Sequence, residues 1–385
     1  MSAFAVFLKA GPSAAAFGPR SNRFADVLER LERRITVLSD REPIPSVAAA
    51  ADEVLVRQFP VLNGMLILGG PSIQHALRDD QDVDRVIDVS LLRADIPQPQ
   101  PMNASVVDPA WHRKALNVDA AHAKGLLGED VWIGFIDTGI DGTHPEFVGR
   151  LHFAEFDESG TLSTPPAVDR DARGHGTHVA GIAAGATVGI APRATVAMAA
   201  AIGRTQTGTV KGFPAVFAAF NWLATIPRPN RRPGVDIINL SFTSQDAAWN
   251  ACHGSEYEPF VRTLRSRGIE VIGAIGNSGP NTAGSPGDYS DVVGIGAIDG
   301  VGCPWPDSSR IPPKPDFMAP GHQISSSLPG GGYGIMSGTS MAAPAASGIG
   351  ALLLQGALAP NGLAAEFAAR AAPLGCQGPG RVLRF

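Results

Sequence analysis

Five uninterrupted apolar runs constrain this chain most: "VWIGFID" (131–137), "ATVAMAAAI" (194–202), "VDIINLSF" (235–242), "IEVIGAIG" (269–276) and "VVGIGAI" (292–298). A strand with one wet face alternates apolar and polar residues, whereas a continuous run suits a strand covered on both faces. Helical stretches lie between several of the runs. The pattern therefore predicts an α/β fold, a mostly parallel sheet with helices on both faces. In such sheets functional groups gather beyond the carboxyl ends of the strands, so the residue after each run is a candidate.

The 385 residues allow two domains. A boundary falls at "ADIPQPQPMNASVVDPAW" (94–111), where Pro97, Pro99, Pro101 and Pro109 forbid regular hydrogen bonding. We read residues 1–95 as a small α+β domain, 96–110 as a Pro-rich connector and 111–385 as the α/β domain. In the first, strands are expected at 4–8, 53–59, 61–68 and 83–89, with helices at 24–34 and 72–78. Trp111 and the following "HRKALNVDAAHAKG" are expected to form the first helix of the second domain.

A net charge of -5 offers no electrostatic argument for nucleic acid or an anionic membrane. No segment reaches the ~20 apolar residues of a membrane span. The opening apolar run stops at Lys9, which does not make a secretory signal. A cytoplasmic protein is the expectation, with export by another route left open. Cys252, Cys303 and Cys376 are far apart and odd in number, so reduced, structural thiols are expected.

The strand ends carry the chemistry. Asp137 closes the first run in "IDTGIDGTHPEF"; it is either an orienting carboxylate or a loop Asp bonded to its own turn. His175 opens a helix in "DARGHGTHVAGIAAG", as a base or as a plain capping residue. A metal pair with His178 is disfavoured, because the spacing is three and no glutamate intervenes. Asn277 follows the fourth run in "AIGNSGP", where it either stabilises a turn or aims its amide N–H₂ at a developing oxyanion. Ser340 stands in "IMSGTSMAAP", at the mouth of a helix with Pro344 in its first turn. A serine there is an N-cap or a nucleophile. Each reading is weak alone. Together the four residues supply a carboxylate, a base, an oxyanion donor and a nucleophile, a complete acyl-transfer set. The chain order Asp…His…Ser separates it from the α/β-hydrolase and chymotrypsin orders.

Residues from about 111 to 370 resemble a subtilisin-like serine protease (subtilase). "IGFIDTGIDGTHPEF", "RGHGTHVAGIAAG" and "SGTSMAAPAASG" are similar to the family's aspartate, histidine and serine motifs, and "GAIGNSGP" to its oxyanion segment. The resemblance implies a serine endopeptidase with catalytic Asp137, His175 and Ser340 and oxyanion donor Asn277. It also implies that Ser241, Phe242 and Thr243 pair with a peptide substrate as an added strand. Ala274, Ile275 and Gly276 would line the pocket before the scissile bond, and Gly284 would lie near its floor. Where the family carries glycines, this chain has Thr243 and Ser244, which predicts a tighter pocket for small or slender apolar residues. "GIAAGATVGIAP" (181–192) lacks the family's calcium-binding insertion. No cofactor is expected, and no calcium at that place, with weak calcium sites elsewhere left open.

Residues 3–95 resemble the family's inhibitory prodomain through "AFAVFLKAG", "VLVRQFPVLNGMLILGG" and "ALRDDQDVDRVID". That implies a proenzyme whose own N-terminal domain is its inhibitory partner, with self-cleavage in the connector near Met102 and Asn103. Two other readings remain: a catalytically silent module of this fold, and an esterase or acyltransferase on the same site.

Overall fold

The structure is a computed structural model that describes residues 2–8, 27, 29–31, 33, 55–59, 64–69, 71–88, 108–203, 211–229, 231–243, 258–356, 361–376 and 380–385. The chain divides into two compact units, Met1–Leu91 and Leu92–Phe385.

The first unit contains β1 (Ser2–Leu8), β2 (Leu55–Phe59), β3 (Gly64–Gly69), α1 (Pro71–Arg78) and β4 (Val83–Asp88). The strands form an antiparallel sheet in the order β2-β3-β1-β4. Alternate residues Val6 and Leu8 of β1, and Met65 and Ile67 of β3, meet Ile73 and Leu77 of α1 in a small core. The period of two on the strands and the i, i+4 spacing on the helix put these side chains on facing surfaces. Of the helix expected over 24–34, Val27, Glu29, Arg30, Leu31 and Arg33 are described and helical, and Leu31 joins this core. Arg30 bridges Asp80 at 2.8 Å and Asp82 at 2.7 Å. Residues 96–107 of the connector, including Met102 and Asn103, lie outside the described residues.

The second unit begins with α2 (Trp111–Ala115) and α3 (Val118–His122). The single helix expected there is two short ones, because Asn117 takes the left-handed conformation at φ 58°. β5 (Trp132–Asp137), β6 (Leu151–Phe156) and β7 (Leu162–Ser163) come next, then α4 (His175–Ala184) and β8 (Thr195–Ala200). α5 (Phe213–Thr225), β9 (Ile237–Leu240), α6 (Glu258–Ser266), β10 (Glu270–Ala274) and β11 (Val293–Ile298) continue the alternation. β12 (Phe317–Pro320) precedes a hairpin of β13 (Ile324–Leu328) and β14 (Gly332–Met336). α7 (Thr339–Gln355), α8 (Leu363–Arg370), β15 (Ala372–Pro373) and β16 (Arg381–Val382) complete the unit.

Ten strands form one sheet in the order β15-β16-β12-β11-β10-β9-β5-β8-β6-β7. It is parallel from β16 through β6 and closed by a short antiparallel strand at each edge. Ile133 and Phe135 of β5 pack in the large core with Val179 and Ile182 of α4 and Ile349 of α7. Between them Gly134 faces the other way, where an added Cβ would stand 2.8 Å from Leu223 of α5. Both faces of β5 are thus covered, which is why its sequence does not alternate. Each fully buried Ile or Phe here is worth about 1.5–3 kcal/mol of transfer free energy.

The expectation of reduced thiols is corrected at two positions. Cys303 and Cys376 are joined as a disulfide, with Cα atoms 5.5 Å apart across 73 residues of sequence. The loop after β11 and the segment after β15 meet only in the folded chain, and spacing alone does not reveal that. Cys252 lies outside the described residues. No helix among the described residues is long and apolar enough to cross a membrane.

Candidate active site

β5 ends on Asp137, and β9, its parallel neighbour, ends on Leu240 immediately before Ser241. The carboxyl ends of these two central strands are therefore level. α4 starts at His175 and α7 at Thr339, and these helices pack against each other.

His175 Nδ1 lies 2.7 Å from Asp137 Oδ1, and both side chains are almost fully buried. Asp137 Oδ1 also accepts from the Thr138 N–H at 2.8 Å. Burial alone would lower the basicity of His175. The charge and hydrogen bond of Asp137, with Asp169 and Asp171 behind it, outweigh that and raise its pKa above the ordinary imidazole value. His175 Nε2 is buried and makes no hydrogen bond. Backbone packing fixes this pair. A Cβ on Gly176 would lie 2.1 Å from the Gly139 carbonyl oxygen and 3.2 Å from Asp137 Oδ1. Only glycine lets the helix start sit so close to the strand end.

Ser340 is the second residue of α7, and the cap position belongs to Gly338, which has no capping side chain. The Ser340 hydroxyl donates instead to the Ser241 carbonyl at 3.0 Å, and the Ser241 hydroxyl donates to the Ser340 carbonyl at 2.8 Å. The first-turn placement expected for Pro344 is corrected: it is the sixth residue of the helix. Its missing N–H leaves the carbonyl four residues earlier, that of Ser340, without an intrahelical donor. The Ser241 hydroxyl supplies one. Ser241 in turn accepts from Asn239 Nδ2 at 2.8 Å, and Asn239 Oδ1 accepts from Ser347 at 3.0 Å, a buried polar chain from β9 to α7.

Asn277 Oδ1 accepts from the Thr339 N–H at 2.8 Å and the Thr339 hydroxyl at 3.0 Å. With its oxygen tied down, the side chain can offer only its N–H₂ elsewhere. Thr339 Oγ1 also accepts from the Gly276 N–H at 3.1 Å, locking the turn to the start of α7.

In the expected peptide-binding segment, Ser241, Phe242 and Thr243 are all buried. Gly284 lies against Thr243: a Cβ on it would stand 2.8 Å from the Thr243 Cβ. Ala274 and Ile275 are buried, and the Ile275 carbonyl accepts from the Gly284 N–H at 2.8 Å. Ser244 lies outside the described residues. The structure thus assembles two clusters, Asp137 with His175 and Ser340 with Ser241, Thr339 and Asn277. Ser340 hydrogen-bonds to Ser241 rather than to His175.

Sequence reasoning missed Thr138, Asp169, Thr177, Asn239 and Thr339, which hold the named residues in place. For Thr138, Thr177, Asn239 and Thr339 the neighbours in "DTG", "GTH", "INLS" and "GTS" are the available signal; Asp169 has none. Several other histidines are buried: His178 bonds the Ile324 and Gly334 carbonyls at 3.1 Å each, and burial pushes its pKa down to about 3. Burial pushes His112 down to about 4. No group of three or more His, Cys, Asp or Glu among the described residues is placed to hold a metal.

The segment after the histidine motif is tied down by a carboxylate. Glu146 reaches it, and its carboxylate accepts from the Thr187 N–H at 2.7 Å, the Thr187 hydroxyl, and the Tyr333 hydroxyl at 2.7 Å. Burial would raise its pKa, but these bonds hold it below the usual carboxyl range. Each of these groups donates to the carboxylate, so its lone pairs are used within the chain. At a second place Lys314 Nζ donates to the Val292 carbonyl at 2.7 Å and to Asp316 at 2.6 Å.

Comparison with known proteins agrees with the motif reading. Subtilisin-like protease PopC of Myxococcus xanthus is 33% identical over 281 residues, covering 66% of this chain and 58% of that protein. Thermophilic serine proteinase of a Bacillus species is 33% identical over 238 residues, covering 60% and 53%. Subtilisin Savinase of Lederbergia lenta is 31% identical over 252 residues, covering 64% and 84%. The chain thus spans only a little over half the length of the first two. The model of the subtilase family matches residues 128–370, more than half of the chain and every strand from β5 to β14, and the chain belongs to that family.

Proposed function

We propose that the chain is a serine endopeptidase in which Ser340 is the nucleophile, His175 the general base, Asp137 its orienting partner and Asn277 an oxyanion donor. The observation that carries this reading is the buried 2.7 Å contact between His175 Nδ1 and Asp137, which leaves Nε2 without a partner. An imidazole fixed in that way has one nitrogen to spend on a proton. Rotation of the Ser340 hydroxyl away from Ser241 brings the reaction into play. Its oxygen bonds to the scissile carbonyl carbon as its proton passes to Nε2. The negative charge on the carbonyl oxygen is met by the Asn277 N–H₂ and the N–H of Ser340 at the mouth of α7. The C–N bond then breaks as His175 returns the proton to the leaving amine, and water repeats the sequence to release the acid. Because Asp137 favours the imidazolium, turnover falls with acidification through a pKa above the ordinary imidazole value.

Peptides are the favoured acyl donors, since the segment after β9 resembles the family stretch that pairs with an extended chain. The Thr243 side chain against Gly284 supports a preference for small apolar residues before the scissile bond. Glu146 and Lys314 support independence from calcium at the two places they occupy. The α+β sheet of the first unit supports a proenzyme, in which that unit restrains the peptidase until the chain cuts its own connector.

The test is intact mass against time for the full chain beside Ser340→Ala, with a fluorophosphonate that labels active serines. The wild type should lose its N-terminal segment and take one label at Ser340, while the variant stays whole and unlabelled. No label on the wild type, together with no cleavage of a peptide library, would overturn the proposal.

A further inference from the structure

Asp169 takes no part in bond making or breaking, yet it touches every segment that carries the Asp137–His175 pair. The half-buried residue turns its carboxylate inward. Oδ1 accepts from the Thr138 hydroxyl at 2.8 Å and the Asp171 N–H at 3.2 Å. Oδ2 accepts from the Thr177 N–H at 2.9 Å and the Thr177 hydroxyl at 2.8 Å. The bonds continue outward. Thr138 Oγ1 accepts from the Gly176 N–H at 3.0 Å, and Thr177 Oγ1 from the Asp141 N–H at 3.1 Å. Gly139 forms a single β-bridge with Asp169 itself.

These bonds solve a local problem. α4 begins after Gly174, which has no side chain to cap the helix, so the N–H groups of Gly176 and Thr177 are left without intrahelical acceptors. Thr138 takes the first and Asp169 the second, both from outside the helix. A residue two positions C-terminal to His175 and one adjacent to Asp137 are thereby held by one carboxylate.

We infer that Asp169 is a positioning residue of the peptidase, capping α4 from outside and setting His175 against Asp137. This rests on the endopeptidase reading. All four contacts to its oxygens come from donors, which suits the ionised form. Burial pushes its carboxyl up from the ordinary value, against the bonds from Thr177 and Thr138. The other charged groups around it are Asp137 and Asp141 before it, Asp171, Arg170 and Arg173 on its own loop, and His175 on α4. Beyond Arg170 lie Glu155 of β6 and Lys211, which bonds Glu155 at 3.2 Å. The negative charge of Asp169 adds to that of Asp137 in favouring the His175 imidazolium.

The experiment uses the full chain with Asp169→Asn, which keeps the shape but removes the charge and replaces an acceptor by a donor. Expected are a kcat lower by about a hundredfold with little change in KM, and an acid limb of kcat/KM moved to lower pH. A residue with only a structural role would lower the folded fraction while kcat per titrated active site and the acid limb stayed put. That result overturns the inference. Should Asp169→Asn not fold, Thr138→Val decides: it breaks the link to Asp169 and keeps its charge. A lower kcat with an unmoved acid limb supports the inference, and a wild-type kcat overturns it. A further readout needs no turnover. In a Ser340→Ala background, the proton NMR titration of His175 should have a lower midpoint when Asp169→Asn is added. An unchanged midpoint sinks the idea. A chain that cleaves no peptide and takes no fluorophosphonate would refute the endopeptidase reading instead, and the titration would still decide the role of Asp169.

Discussion

His175 and His178 sit one turn apart on α4, both wholly inside the protein, and their surroundings set them to opposite ends of the imidazole range. His175 faces three carboxylates, of which Asp137 is in direct contact. His178 faces two backbone carbonyls and no anion, and its other ring nitrogen has no partner. Both lose hydration. Only one regains a counter-charge, so it is raised while its neighbour falls to about 3. Burial alone makes a histidine inert; a buried carboxylate beside it makes it a base.

The strongest way to break this contrast is to give His175 surroundings like those of His178. Asp137→Asn should lower kcat by about four orders of magnitude and move the acid limb of kcat/KM to lower pH, as read from a pH–rate profile. The oxyanion side should not share that signature. Asn277→Leu is expected to lower kcat on the order of a hundredfold, the scale known for the corresponding donor of subtilisin, with the acid limb unmoved. His178→Phe should act on stability instead. It leaves the Ile324 and Gly334 carbonyls unbonded in the core and should cost about 1–3 kcal/mol in urea unfolding of the Ser340→Ala chain.

The two histidines also tie stability to pH with opposite signs. The contribution of His175, whose folded pKa is raised, is complete below the ordinary imidazole pKa and is lost as pH rises through the folded value. The depressed His178 behaves conversely: stability falls as pH drops from its unfolded pKa of about 6.5 toward about 3, because only the unfolded chain takes up the proton. Denaturation curves between pH 7 and pH 4 should therefore steepen their loss through His178 and His112, and His178→Phe should flatten it. The smallest effect is expected from a chelator. Excess EDTA should leave the melting temperature unchanged, whereas Glu146→Gln should lower it by removing an acceptor from Thr187 and Tyr333.

The parallel sheet and the motifs that mark the family are legible because they are local. Apolar runs and short glycine-flanked motifs carry their meaning within about ten residues. What supports them is not. Asp169 lies six residues before His175 and reads as one more loop carboxylate until the fold brings Thr138 and Thr177 to it. Pro344 looks like a helix-start residue in sequence, and only the length of α7 shows that it frees the Ser340 carbonyl. Cys303 and Cys376 are separated by 73 residues, too far for spacing to pair them. β6, β12 and the β13–β14 hairpin escaped for another reason: charge, proline or serine interrupts their apolar content. In "LHFAEF" the buried Glu155 is bonded by Arg170 and Lys211, so a strand position that reads as polar is interior.

The contact of Gly176 with Gly139 has a consequence for anyone who would redesign this protein. Two backbones meet there with no side chain between them. The closest approach of β5 and α4 is therefore set by the peptide chain itself, and only the Thr138, Asp169 and Thr177 bonds around it can be altered through side chains. On the serine side the bonds of Ser241, Thr339 and Asn277 are all made by side chains. Directed evolution of this scaffold should accordingly find almost no tolerated substitution at Gly139 or Gly176.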